Sequence, residues 1–281
     1  MNRAMIETTI VGWDDTSAAQ RALDWALTRL GTTKLVLVRV ADSTVETFAA
    51  NSPTAAARIA LMDEAERVRD AHPDLAVTSE LVAGDPVDKL ARFSNEKTLV
   101  VVGTDRQSGG GIRYGWSVGA RLAASAHGPV AIVPVGHDVR RRSIVVGVDG
   151  SPASNTAVEF AAAEADRTGA PLHLVHAWQE LPIWMDDQVP DAEYLRSLEE
   201  MHSHILDDSL QDLEKRHPGV HADRTLVRGP AYRAVLDTAQ DAALIVVGNH
   251  GLRGLKRVLL GSVSHSIILD ALCPVVVVRS E

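Results

Sequence analysis

Cysteine is nearly missing from this sequence: Cys273 is the single one in 281 residues. One thiol cannot close an intramolecular disulfide, so a disulfide-stapled secreted scaffold is excluded. Beside Pro274 it reads as a small core residue. Aromatic residues are scarce too, at 4%. The core must therefore be made from Ala, Val, Leu and Ile, which suits buried parallel strands under Ala-rich helices. No run approaches the roughly 18 apolar residues of a membrane span, and Met1 to Thr9 lack the apolar stretch of a signal peptide. The expectation is a soluble, cytoplasmic chain with no membrane partner. Positive charge is also short: a net charge of −9 has the wrong sign for general nucleic-acid binding, which needs a basic footprint. With 46% hydrophobic and 23% charged residues, disorder over the whole length is excluded.

The sequence is written twice. Thr9-Ile10-Val11-Gly12-Trp13-Asp14-Asp15-Thr16 matches Ile144-Val145-Val146-Gly147-Val148-Asp149-Gly150-Ser151. Leu81-Val82-Ala83-Gly84-Asp85-Pro86 matches Leu226-Val227-Arg228-Gly229-Pro230-Ala231, and Leu99-Val100-Val101-Val102-Gly103 matches Leu244-Ile245-Val246-Val247-Gly248. Gly128-Pro129-Val130 closes the first half as Cys273-Pro274-Val275 closes the second. The offset is 135 at Asp14 and Asp149 but 145 at Pro129 and Pro274, and the extra ten residues are expected at 179–194, after the second strand of the second copy. A period of about 140 residues is a domain, not a solenoid repeat. The boundary falls between Gly136 and Arg142, giving domains 1–137 and 143–281. The run Arg140-Arg141-Arg142 there reads as a solvated linker, with a phosphate-binding patch as the other reading.

Each half reads as βαβαβαβαβ. In the second, Ser143 to Val148 is a short β-branched strand, Ser151 an N-cap with Pro152 at the first helical position, and Gly169 a helix stop near Arg167. Further strands are expected at Leu172 to Ala177, Ala222 to Val227, Leu244 to Val247 and Pro274 to Val278. Helices are expected at Ala192 to Arg216, Pro230 to Gln240 and Ser262 to Leu272. Alternation of this kind predicts a five-stranded, doubly wound parallel sheet in each half, with right-handed crossovers. Ligands bind such sheets beyond the carboxyl ends of the strands, at the topological switch point.

After the fourth strand of the second half comes Gly248-Asn249-His250-Gly251-Leu252-Arg253-Gly254-Leu255-Lys256-Arg257-Val258-Leu259-Leu260-Gly261-Ser262, a G-x2-G-x9-G-S spacing. Glycines let a backbone approach a ligand closely. Ser262 can cap the following helix while free N–H groups face the loop, which makes an anion site. Arg253, Lys256 and Arg257 add positive charge, and Asp149 at the end of strand one suits a ribose hydroxyl or a divalent cation. Neither the G-x4-GK[ST] loop nor a G-x-G-x-x-G after strand one is present. A Walker-type NTPase and a dinucleotide dehydrogenase are both disfavoured.

With these motifs the chain resembles the universal stress protein family over nearly its whole length, as two tandem copies. The markers are Val146-Gly147-Val148-Asp149-Gly150-Ser151, the loop from Gly248 to Ser262, and Cys273-Pro274-Val275-Val276-Val277-Val278. The resemblance implies the universal stress protein fold and binding of ATP with Mg2+ or Mn2+, which many members with this loop show and members without it do not. It implies that Asp149 lies near the ribose and phosphates and that the backbone of Ala177 meets the adenine. Val247, Gly248 and Gly251 would line the nucleotide. Gly261, Ser262 and Val263 would hold phosphates, and Gly229 would give clearance. Gly150, Ser151, Arg253 and Gly254 complete the expected set; His250, inside the loop, is either an exposed residue or a contact. It also implies that the halves pair through their last strands as an intramolecular pseudo-dimer, and that two chains can pair again as a homodimer.

The first half departs from this pattern. Asp14, Val40, Gly84, Gly103 and Ser117 survive at matching positions, but Arg106 replaces the second glycine of the loop and Trp116 the third. A non-glycine residue in a left-handed conformation costs about 1–2 kcal/mol. The expectation is one good site in the second half and a drifted first. Among other residues, His202 and His204 at i,i+2 share no helix face and read as solvated. His173 and His176 read as core or capping residues on opposite strand faces. Ser262 and His265 lack a third partner for hydrolase chemistry. Asp186-Asp187 reads as a solvated loop, and Trp184 with Met185 as either a lid or packing on the next helix. The leading function is an ATP-binding regulatory module in stress response, with an unknown protein partner. The alternatives are a slow ATP hydrolase or phosphotransferase, with Asp149 and Arg253 as its only candidates, and a nucleotide-free interaction protein.

Overall fold

Strand and helix alternate through both copies, as the periodicity predicts. The computed structural model describes residues 6–29, 34–41, 53–105, 117–136, 142–179, 192–249 and 260–280. The first copy runs β1 (Thr8–Gly12), α1 (Ser17–Thr28), β2 (Lys34–Ala41), α2 (Pro53–Ala71), β3 (Ala76–Ala83), α3 (Pro86–Ala91), β4 (Thr98–Thr104), α4 (Val118–Ser125) and β5 (Val130–Pro134). The second runs β6 (Ser143–Gly147), α5 (Pro152–Thr168), β7 (Leu172–Trp178), α6 (Ala192–Arg216), β8 (Ala222–Arg228), α7 (Ala231–Thr238), β9 (Ala242–Gly248), α8 (Ser262–Asp270) and β10 (Val275–Val278). The helix expected to reach Gln240 instead tightens after Thr238 into a 3-10 turn, Ala239–Asp241, and the last helix stops at Asp270 rather than Leu272. No described helix is long and apolar enough to cross a membrane.

The chain forms two compact units. The first holds Met1–His137 with Leu255–Leu260 and Ile268–Val277; the second holds Asp138–Gly254 with Gly261–Ile267 and Val278–Glu281. In the first unit, strands β3-β2-β1-β4-β5 lie side by side and parallel. Strand β10 is antiparallel to β5, with Val275 opposite Ile132 and Val277 opposite Val130. In the second unit the order is β9-β6-β7-β8, again parallel. Both are doubly wound about their first strand, so each has its switch point between strands one and four.

The cores follow the composition. Leu99, Val100, Val101 and Val102 of β4 are all buried, a near-continuous apolar run as expected for a strand covered on both faces. Helix α5 turns Ala153, Ala157, Ala161, Ala162 and Ala165 to the sheet, and α1 turns Ala19, Ala22, Leu23 and Ala26. A buried leucine such as Leu23 contributes about 2 kcal/mol. The edge strand β8 is largely polar or part-exposed, with Asp223 and Arg224 facing solvent, which discourages edge-to-edge pairing.

The strand registers relocate the extra residues of the second copy. The offset is 135 between Thr9 and Ile144, 137 between their neighbours Leu35 and Leu172, and 145 between the next neighbours Val77 and Ala222. The expected site of the insertion, 179–194, accounts for little of it. Helix α6 has 25 residues against 19 in α2, so the added length is mostly helix. The two longest helices begin after different connections, which hid this in the sequence.

The glycine at the end of the fourth strand is required by packing in each copy. A Cβ on Gly103, at the end of β4, would stand 2.0 Å from the carbonyl oxygen of Ala18 in α1. On Gly248, at the end of β9, it would stand 2.9 Å from the Ala153 carbonyl carbon in α5. The contact is with backbone, which cannot swing away. Gly103→Ala is expected to destabilise the protein by about 2–3 kcal/mol, measured as a lowered urea midpoint with an unchanged slope.

Candidate functional site

The carboxyl ends of β6, β7, β8 and β9 bring the expected residues of the second copy to one edge of its sheet. Asp149 follows β6 and is exposed, Ala177 is the last residue but one of β7 and is half-buried, Gly229 follows β8, and Val247 and Gly248 end β9. Local geometry fixes the turn after β6. The Ser151 N–H donates to Asp149 Oδ1 (2.9 Å), the Asp149 N–H donates to Ser154 Oγ (3.2 Å), and Gly150 has φ +76°. Ser151 then caps α5 by accepting from the Ser154 N–H (3.1 Å). Asp149 is therefore oriented by backbone, with its carboxylate toward solvent.

At the other side of the switch point the two ends of the glycine-rich segment meet beside α8. The Gly261 N–H donates to the Asn249 carbonyl (2.8 Å), the Asn249 N–H to the Val278 carbonyl (2.8 Å), and Ser264 Oγ to the Gly248 carbonyl (2.6 Å). Ser262 is the first residue of α8 rather than its cap: the Gly261 carbonyl accepts from the His265 N–H (2.9 Å), so Gly261 takes the cap position. This corrects the expectation of a Ser262 cap. Ser262 and Val263 are exposed, so the first amides of the helix, which have no acceptor within it, lie at an accessible surface. His250, Gly251, Arg253, Gly254, Lys256 and Arg257 lie outside the described residues, as do Trp184, Met185, Asp186, Asp187, Arg140 and Arg141.

The same edge of the first copy is filled by its own side chains. Asp15 stands where the second copy has Gly150, at φ +60°, and binds the Arg39 guanidinium (2.6 Å). Asp85 caps α3 and pairs with Arg121 of α4 (3.3 Å); the Asp88 N–H and then Arg121 hold its carboxyl below the ordinary value. Lys89 lies over Gly84: a Cβ there would be 2.6 Å from Lys89 Cε, whereas a Cβ on Gly229 would meet nothing within 4 Å. Asp14 makes the turn its counterpart makes, accepting from the Thr16 hydroxyl (2.6 Å), and Val40 is half-buried. Ser117, unlike Ser262, does cap its helix, accepting from the Ala120 N–H (3.2 Å). Arg106, Trp116 and the residues between them lie outside the described residues.

Two groups escaped the sequence reading. Ser264 ties the loop to its helix, and only its hydroxyl at the third helical position hinted at this. His202 was expected to be solvated; instead it is half-buried, its Nδ1 lies 2.8 Å from Nε2 of the buried His176, and it stacks on Trp178 at 5.5 Å. Burial, and secondarily His176, hold it below the ordinary imidazole value. His204, two residues on, is exposed, so the rule that such residues share no face held, but it did not say which face was buried. His173 bridges to Thr225 Oγ1 on β8 (2.7 Å).

Comparison with known proteins bears on this arrangement. The model of the universal stress protein family matches residues 5–134 and again 140–279. A universal stress protein of Mycobacterium tuberculosis is 31% identical over 290 residues, spanning 97% of this chain and 96% of the relative. A second from the same species is 34% identical over 213 residues, covering 74% of this chain and 70% of the relative. Among solved structures, a universal stress protein from Archaeoglobus fulgidus superimposes with a TM-score of 0.68 at 19% identity, covering 98% of this chain and 97% of that one. A putative universal stress protein from Pseudomonas aeruginosa gives 0.62 at 16% identity, covering 98% and 93%. With both copies matched by one family and the fold shared along the full chain, this protein belongs to the universal stress protein family, as a tandem of two such domains.

Proposed function

We propose that this universal stress protein is a regulatory module in stress response that binds one ATP, with Mg2+ or Mn2+, in its second domain. The observation that carries the reading is the exposed start of α8, at the carboxyl edge of a parallel sheet that also bears the exposed Asp149. The residues fit a nucleotide. Gly229 has φ +156° and open space above it, Gly261 brings the chain close to the first amides of α8, and the half-exposed Ala177 offers backbone at the strand edge. Helix amides and dipole favour a phosphate chain, and Arg253, Lys256 and Arg257 supply charge from the loop sequence. The divalent ion supplies neutralisation of the phosphates, with Asp149 the carboxylate placed to receive it.

In the first domain the corresponding space holds Lys89 and the Arg39–Asp15 pair, so the stoichiometry is one nucleotide per chain. Bound nucleotide acts by favouring one conformation or partner surface over another.

Isothermal titration with Mg·ATP is expected to give one site per chain, and retained nucleotide is expected to be ATP rather than ADP. Two equal sites, or steady ADP release, would sink the reading. Gly251→Val combined with Ser262→Ala is expected to abolish binding. The two serines should separate in stability: Ser117→Ala loses a helix cap, about 1 kcal/mol in urea unfolding. Ser262→Ala, with no cap to lose, is expected to leave the midpoint unchanged and to weaken ATP alone.

A further inference from the structure

A chain of hydrogen bonds runs from α6 to the turn that carries Asp149. Nδ1 of His176 lies 2.6 Å from the carbonyl oxygen of Val148, the residue before Asp149. A carbonyl only accepts, so His176 Nδ1 carries the proton and its Nε2 is left as an acceptor. Nδ1 of His202, 2.8 Å away, must then be the donor. Helix α6 meets the same turn a second time, where Ile205 Cγ2 lies 3.4 Å from the position of a Cβ on Gly150.

The first copy fastens its turn from the same strand position. The register pairs Gly12 with Val38 and Gly147 with Val175, so Arg39 and His176 are equivalent next residues. Arg39 holds Asp15 by a permanently charged pair (2.6 Å). The second copy has exchanged that pair for two imidazoles.

Resting on the nucleotide reading above, we propose that His176 and His202 are positioning residues for the Asp149 turn, and that occupancy of the second domain's nucleotide site and protonation of this pair are linked. The bond pattern allows one added proton. It enters at Nε2 of His202, leaves both hydrogen bonds in place and puts a cation on the face of Trp178, a favourable partner. A second proton would set two N–H groups against each other and break the pair. Other charged groups on the surrounding elements are Arg196 and Glu199 on α6, Arg228 over Trp178 (5.7 Å) and the Arg224–Asp207 pair (2.7 Å) at β8. On α5, Glu159 is bound to Arg216 and His217, and Asp149 lies on the turn itself. A polyanion at this edge favours the charged pair, and by reciprocity the charged pair favours the polyanion.

The test is a nitrogen-detected NMR titration of the histidine rings in the full chain, with and without saturating Mg·ATP. Without nucleotide, His176 is expected to show the Nδ1–H tautomer, and His202 to take up a proton below the ordinary imidazole range. With Mg·ATP the midpoint is expected to rise by about half a pH unit, equivalent to about threefold tighter binding in acid. Calorimetry between pH 8 and pH 5.5 should show that gain in the native protein over His202→Gln, which keeps an amide donor for His176 but cannot titrate. ATP that binds without moving the midpoint overturns the linkage and leaves the nucleotide reading intact. No ATP binding at any pH, with the ring titration still visible, overturns both.

Discussion

Everything at the functional edge depends on one close approach, that of the first helix of each copy to the end of the fourth strand. Strands one and four are neighbours although five elements separate them in sequence, and the helix after strand one crosses directly over the end of strand four. Only a residue without a Cβ fits beneath Ala18 or Ala153, so Gly103 and Gly248 are fixed by packing before any ligand is considered. That seat sets the depth of the crevice between the two strands. It also explains why the drifted first copy keeps its glycine while losing the rest of the loop pattern.

Given one backbone, the two copies differ in what fills the crevice. The first uses charged side chains of its own: Arg39 with Asp15, Arg121 with Asp85, and Lys89 across Gly84. Exposed pairs of this sort contribute little stability, but they occupy space and cancel charge where a phosphate chain would lie. The second leaves glycine at both of its matching turns and spends its polar groups on closing the loop, through Ser264 and the Gly261 amide.

The site was legible wherever chemistry follows from local sequence. Ser151 and Gly169 mark the ends of α5 as capping rules require, and α6 spans the residues its periodicity predicts, 192–216. The cap assigned to Ser262 failed by one residue because Gly261, with no side chain, served as well once its amide was tied to Asn249. His202 was misread for a different reason. Its burial comes from Trp178 and His176 on another element, and helix spacing alone ranks no face as inner when apolar content is low.

By itself the sequence determined the duplication, the order of strands and helices, and the family, because repeated landmarks, alternating periodicity and turn residues are local properties. The tertiary structure decided the rest: which glycines are needed for packing, where the added length of the second copy sits, which charged side chains line the strand ends of the first copy, and which histidines meet. Those outcomes depend on distances between segments far apart in the chain. Side chains at Lys89 and Gly84, or at His176 and His202, acquire their meaning only when parallel pairing brings their strand ends to one edge.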